Sequence, residues 1–159
     1  GAGKLVGREE DRELEAGHRF FAQNEFEKAI IEYDKVIQEN PRAYLAHFWR
    51  GRALIKLNMM ETAASEFTKV IQMKPKEYEA YDWLGWLKTQ NGQYDEAIRY
   101  LTKSVSLNPK NGWAYYMRGE CHYRKGSIEK ALLDADKSCQ LRFKKGCLIY
   151  ETLIRNSEG

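Results

Sequence analysis

The three prolines of this chain stand at 41, 75 and 109, separated by 34 and 34 residues. Glycine keeps the same step at 17, 51, 85 and 119, and alanine keeps it at 29, 63, 97 and 131. One period shared by three residue types marks a stacked repeat, because chance does not hold three prolines, four glycines and four alanines to one step. Each period holds two helical patterns. In the third, YEAYDWLGWLKTQ runs to the turn signal NGQ, and YDEAIRYLTKSVSL then runs to NP. Apolar residues recur at i, i+3, i+4 and i+7 in both stretches. Asn-Gly stops the first helix and Asn-Pro closes the second. The other periods turn at the matching places with AQNEF, KLNMM and RKGSI. A lone hairpin of two such helices leaves its apolar face open, so neighbours must stack.

These residues resemble the tetratricopeptide repeat, whose first helix carries Trp, Leu, Gly and Tyr and whose second carries Ala, an aromatic, a small residue and Pro. The Gly and Ala slots match in all four periods. The aromatic slot holds Tyr33, Phe67, Leu101 and Ala135, and the small slot holds Val36, Val70, Ser104 and Ser138. The proline slot fails once, at Phe143. The resemblance covers residues 8–143 and implies an all-α, right-handed α-solenoid of four helix-turn-helix repeats at about 10–43, 44–77, 78–111 and 112–145. KGCLIYETLIRN reads as one more helix, a cap over 146–157 that covers the last open face. Residues 1–7, GAGKLVG, have no apolar signal-peptide core and are expected to be a tag or linker remnant.

Composition narrows the function. Hydrophobic residues make up 43% and charged residues 31%, as in a soluble globular chain. A net charge of +3 with both signs interspersed points away from nucleic acid. No apolar run is long enough to cross a bilayer. There is no glycine-rich phosphate loop, no CxxC pair and no HExxH, and the three histidines fall in different periods. The chain is therefore expected to be no enzyme and to use no cofactor or metal.

The tryptophans carry the functional signal. The family's tryptophan slot, four residues before the glycine, holds Glu13, His47, Tyr81 and Tyr115. The four tryptophans stand elsewhere, at 49, 83, 86 and 113. On a wheel at about 100° per residue they fall opposite the packing slots, and the resemblance implies that this opposite face lines the concave groove. The candidate groove residues are Phe48, Trp49, Arg52, Glu79, Asp82, Trp83, Trp86, Trp113, Tyr116, Glu120 and Tyr123. Aromatic surface on one face marks an interaction site, and Trp and Tyr dominate binding hot spots. The opposing expectation is that these rings pack on neighbouring repeats.

The best-known peptide mode of the family clamps a C-terminal carboxylate with Lys, Asn and Arg. The matching positions here hold Leu14, His18, Trp49, Glu79 and Trp83, or Phe48, Arg52, Trp83, Trp113 and Met117, and neither set is a clamp. Rings beside Glu79, Asp82 and Glu120 suit a Lys or Arg side chain, or a proline-rich extended segment. The expected function is a non-catalytic scaffold that binds a basic and apolar or proline-rich peptide, or a partner helix, from another protein. The alternative is a structural solenoid, self-assembling into a homo-oligomer or serving as a spacer in a larger protein.

The three cysteines are Cys121, Cys139 and Cys147. KSCQLRFKKGCLIY resembles the cysteine-rich Sel1-like repeats, in which two cysteines eight apart join successive helices. That resemblance implies a Cys139–Cys147 disulfide; two buried thiols are the other reading. A pair would place this soluble chain in a periplasm-like compartment rather than a cytoplasm, and Cys121 is expected to be a free thiol.

Overall fold

The computed structural model describes residues 12–158, so the expected remnant at 1–7 lies outside them. Among the described residues there are nine α-helices and no strand. The chain divides after Pro75 into two compact units. The first contains α1 (Glu15–Ala22), α2 (Phe26–Glu39), α3 (Tyr44–Lys56) and α4 (Met60–Met73). The second contains α5 (Tyr78–Gln90), α6 (Tyr94–Leu107), α7 (Gly112–Arg124), α8 (Ile128–Gln140) and α9 (Lys144–Glu158).

The period has a direct packing meaning. Each repeated alanine, at 29, 63, 97 and 131, is buried, and the aromatic-slot residues Tyr33, Phe67 and Leu101 are fully buried. They press on the glycine of the paired helix. A Cβ on Gly51 would stand 2.9 Å from Phe67 Cζ, and one on Gly85 would stand 2.6 Å from Leu101 Cγ. Only a residue without a side chain lets these helices approach so closely. In α7 and α8 the slot has shrunk to Ala135, and Gly119 meets Asp134 instead.

Two turn types alternate. The turn inside each hairpin puts one residue in the left-handed region: Asn24, Asn58, Gly92 and Gly126, at φ of 61, 61, 74 and 81°. These are the residue types that tolerate it. The next residue closes the turn with a six-to-one hydrogen bond, as from Met59 N to Leu54 O at 2.9 Å and from Gln93 N to Lys88 O at 2.9 Å. The turn between repeats instead sets Asn40, Lys74 and Asn108 in extended backbone before the proline.

The end of the chain departs from the sequence reading. After α8 the chain makes the hairpin-type turn where the sequence pattern calls for the proline type. Arg142 takes φ 65° and Phe143 N donates to Ser138 O at 3.1 Å. Proline lacks that N–H, so the proline slot fails because the turn there is of the other kind. The following helix consequently begins at Lys144, earlier than the expected 146. Cys139 and Cys147 are joined by a disulfide across this turn. Cys121 is a free, buried thiol.

Candidate ligand cavity lined by tryptophans

Residues 79, 82, 83 and 86 follow helical spacing, so α5 presents them on one face. Glu79, Asp82, Trp83 and Trp86 line one cavity of about 280 Å³, and Trp113 from the first turn of α7 closes its other side. The rings of Trp83 and Trp86 meet nearly edge to face, 6.1 Å between centroids at 77°. Trp86 and Trp113 also lean on the core formed by Ala97, Leu101, Val105, Ala114, Met117 and Cys121. These two rings thus border both the core and the cavity.

Asp82 does more than line the wall. Ser104 Oγ of α6 donates to its Oδ1, and Asn111 Nδ2 donates to Oδ2 at 2.8 Å. Asn111 caps α7 by accepting from Ala114 N at 3.3 Å. The carboxylate thus ties the helix bearing Trp83 and Trp86 to the turn that launches Trp113. Burial raises its pKa to about 6, against the opposing pull of the Ser104 and Asn111 hydrogen bonds, and the Glu79 charge adds to the rise. Glu79 itself is exposed.

The remaining candidates are distributed elsewhere. Phe48 departs from the groove reading: it is only 6% exposed and packs edge to face on Phe67 at 5.5 Å. Trp49 sits in an aromatic corner of the first unit with His18 at 4.6 Å and Phe21 at 5.5 Å. The Arg52 guanidinium stands 4.4 Å from its ring centroid. Tyr116 packs on Phe143 at 5.4 Å. Glu120 and Tyr123 border a separate recess with Leu148 and Ile149. Of the eleven candidates, five share the one cavity. Sequence phase alone does not separate Phe48 from Asp82, which occupy the same position of successive periods. The contributors that sequence reasoning misses are Ser104 and Asn111, whose signal is a polar residue in the small slot and an Asn four before Tyr115.

No group of three metal-ligating side chains occurs among the described residues. None of the described helices is long and apolar enough to cross a membrane.

No curated protein matches the sequence. Among solved structures, a MamA protein superposes with a TM-score of 0.80 at 20% identity, over 96% of this chain and 90% of that one. YrrB, described as a TPR protein with an unusual peptide-binding site, gives 0.78 at 20% identity over 99% and 83%. The first TPR of Spaghetti (RPAP3), bound to the HSP90 peptide SRMEEVD, gives 0.68 at 16% identity over 73% and 94%. At these identities the likeness is one of fold. Three family models match residues 14–78, 66–99 and 88–133, each a tetratricopeptide repeat, and with the 34-residue packing register they place the chain in the tetratricopeptide repeat family.

Proposed function

We infer that this chain is a non-catalytic protein-interaction module. It holds an extended segment or helix of a partner protein by seating a cationic side chain in the cavity of Trp83, Trp86 and Trp113. The observation that carries this reading is the lining itself. Three indoles and two carboxylates converge on one cavity, and among the described residues no Lys or Arg stands over the rings of Trp86 or Trp113. Indole faces attract cations, and the two carboxylates add charge of the right sign. The same charge opposes an acidic ligand such as SRMEEVD, the peptide seen on the Spaghetti domain. Peptide binding by that neighbour and by YrrB supports the general mode rather than the ligand type. The Cys139–Cys147 disulfide supports an oxidising compartment for the chain.

The test is calorimetric titration with a basic, leucine-bearing peptide and with SRMEEVD. The basic peptide is expected to bind and the acidic one to fail, with Glu79→Lys reducing the former. Unchanged affinity in a Trp83→Ala/Trp86→Ala variant of unaltered helical circular dichroism would sink the reading.

A further inference from the structure

Which cation a cavity favours depends on the hydrogen-bond acceptors it leaves open. An unmodified ammonium brings three N–H donors and is strongly hydrated, so entering a cavity costs it water unless acceptors replace that water. Here three of the five lining residues are indoles, whose ring faces attract charge but replace no water. Asp82 offers charge, yet each of its oxygens already accepts a bond from the protein, one from Ser104 and one from Asn111. Glu79 is exposed and keeps the most acceptor capacity of the lining, whereas Asp82 keeps at most one open lone pair on each oxygen. A quaternary ammonium reverses each of these terms. It has no donor to satisfy, holds its water weakly, spreads its charge over methyl groups, and touches several ring faces at once.

The shape agrees. Trp83 and Trp86, at 77° to one another, form two walls of a corner, and Trp113 from α7 forms a third. Pockets for whole drug-sized ligands begin at about 300 Å³. A cavity of about 280 Å³ lies at that lower bound and has room for a headgroup or one side-chain end. Trp86 and Trp113 are braced from behind by the core of the unit, so the walls are set before a ligand arrives.

We propose that the cavity is an aromatic cage for a quaternary ammonium group, carried by a trimethylated lysine of the bound partner segment. This rests on the peptide-binding reading above and narrows it from a cation to a methylated one. Both indole faces and carboxylate charge contribute, so the cage separates trimethyllysine from two different relatives. Unmodified lysine is the same charge with donors. The uncharged tert-butyl isostere is the same shape without charge.

Indole Nε1–H signals of the tryptophans, followed by two-dimensional NMR on the full chain, test this. The probes are a short leucine-flanked peptide carrying lysine, trimethyllysine or the tert-butyl isostere, together with tetramethylammonium chloride alone. The trimethyllysine peptide is expected to bind about tenfold tighter than either of the other peptides, the scale of a desolvated cation–π contact. It should shift the Trp86 and Trp113 signals, and tetramethylammonium should shift the same two at higher concentration. Glu79→Gln, a change at an exposed position, is expected to weaken the trimethyllysine peptide and leave the isostere unaffected. Equal or tighter binding of unmodified lysine overturns the cage and leaves the peptide reading standing. Equal binding of the isostere overturns the cage in favour of a plain apolar pocket. Shifts with tetramethylammonium while every peptide fails overturn the lysine source and the peptide reading together.

Discussion

Trp49 and Trp83 stand one period apart on α3 and α5, yet their surroundings diverge. Three residues after Trp49 comes Arg52, and three after Trp83 comes Trp86. In the first unit the chain supplies its own cation, with Arg52 4.4 Å from the Trp49 ring and 5.4 Å from Phe21. In the second unit that position is another indole wall, and the neighbouring positions hold carboxylates. The two helices are also anchored differently. α3 is held by Glu66 of α4, which bonds His47 Nδ1 at 2.7 Å and Arg50 Nη1 at 3.1 Å. Both helices set their glycine against the paired helix, Gly51 on Phe67 and Gly85 on Leu101, but α5 has the Asp82 bonds in place of the Glu66 pairs. One repeat thus spends its charges on its own packing, while the next turns acidic charge towards a cavity. A repeat scaffold permits this because the glycine, alanine and aromatic slots fix the hairpin and leave the opposite face free to vary.

The largest expected effect breaks the anchoring half of the comparison. Glu66 is 1% exposed and also meets Lys69 Nζ at 3.3 Å. Glu66→Ala removes the buried partner of His47 Nδ1 and one of the two carboxylates that Arg50 meets, leaving Arg50 with Asp34 at 2.9 Å and His47 with the Pro41 carbonyl at 3.0 Å. Breaking a buried pair costs about 3–5 kcal/mol, and these remaining partners set the expectation at the lower end. The corresponding position one period on is Tyr100, half-buried on α6, and Tyr100→Ala should cost much less. Urea denaturation of the two variants checks the contrast. Equal losses would mean that α3 and α5 are anchored alike.

Asp82 gives the next effect, through pH. Its pKa rises from an ordinary 3.8 to about 6 on folding. A carboxyl raised in this way binds its proton more tightly in the folded chain than in the unfolded one. Its contribution to stability is therefore fully present below about pH 4 and is lost as pH climbs through about 6. At about 1.4 kcal/mol per pH unit, this group alone lowers the unfolding free energy by on the order of 3 kcal/mol across that window. Asp82→Asn should flatten this part of the profile. A cation in the cavity favours the ionised form, so affinity should rise from about pH 5 to about pH 7 with proton release on binding. Calorimetry in two buffers of different ionisation enthalpy reads that release directly.

How much of this is legible in the sequence depends on the kind of residue. The hairpins, their stacking and the burial of Tyr33, Phe67 and Leu101 follow from the period, because core slots recur with the helix and report themselves in successive repeats. The five cavity residues stand among the candidates because they fall opposite those slots on the helix wheel. Phe48 is misplaced by its phase, which matches that of Asp82 and Tyr116. What turns it inward is the Phe67 ring on another helix, which no local pattern records. The bonds of Asp82 to Ser104 and Asn111 are hidden likewise, since they span 22 and 29 residues of sequence. The hairpin-type turn before α9 lacks its usual marker: Arg142 sits in the left-handed region where Asn or Gly signals the other four turns.

A further substitution erases the difference at the cavity. Trp86→Arg writes into α5 the Trp-x-x-Arg spacing that α3 already folds with at 49 and 52. The new guanidinium is expected to lie over the Trp83 ring and beside Glu79, occupying the cavity as an internal cation. Affinity for a cationic ligand should then fall by at least about tenfold, on the scale of one lost cation–π contact with added charge repulsion. A variant that keeps its melting transition and still binds with unchanged affinity would place the ligand elsewhere.

The smallest effect lies on the other side of the comparison. Arg52→Gln removes the internal cation from the Trp49 corner but keeps a polar side chain there. The corner retains its edge-to-face contacts with His18, Phe21 and Phe48. A cation–π contact contributes from about 0.5 kcal/mol where exposed to about 2 kcal/mol where desolvated, so a loss of about 1 kcal/mol is expected in urea denaturation. The more telling readout is ligand binding. If the arginine three residues after the tryptophan is what distinguishes the two corners, the Arg52→Gln variant should gain a weak response of the Trp49 indole to tetramethylammonium that the wild type lacks. A Trp49 signal that stays silent in both would show that the acidic groups Glu79 and Asp82, rather than the replacement of that arginine by an indole, make the second corner receptive.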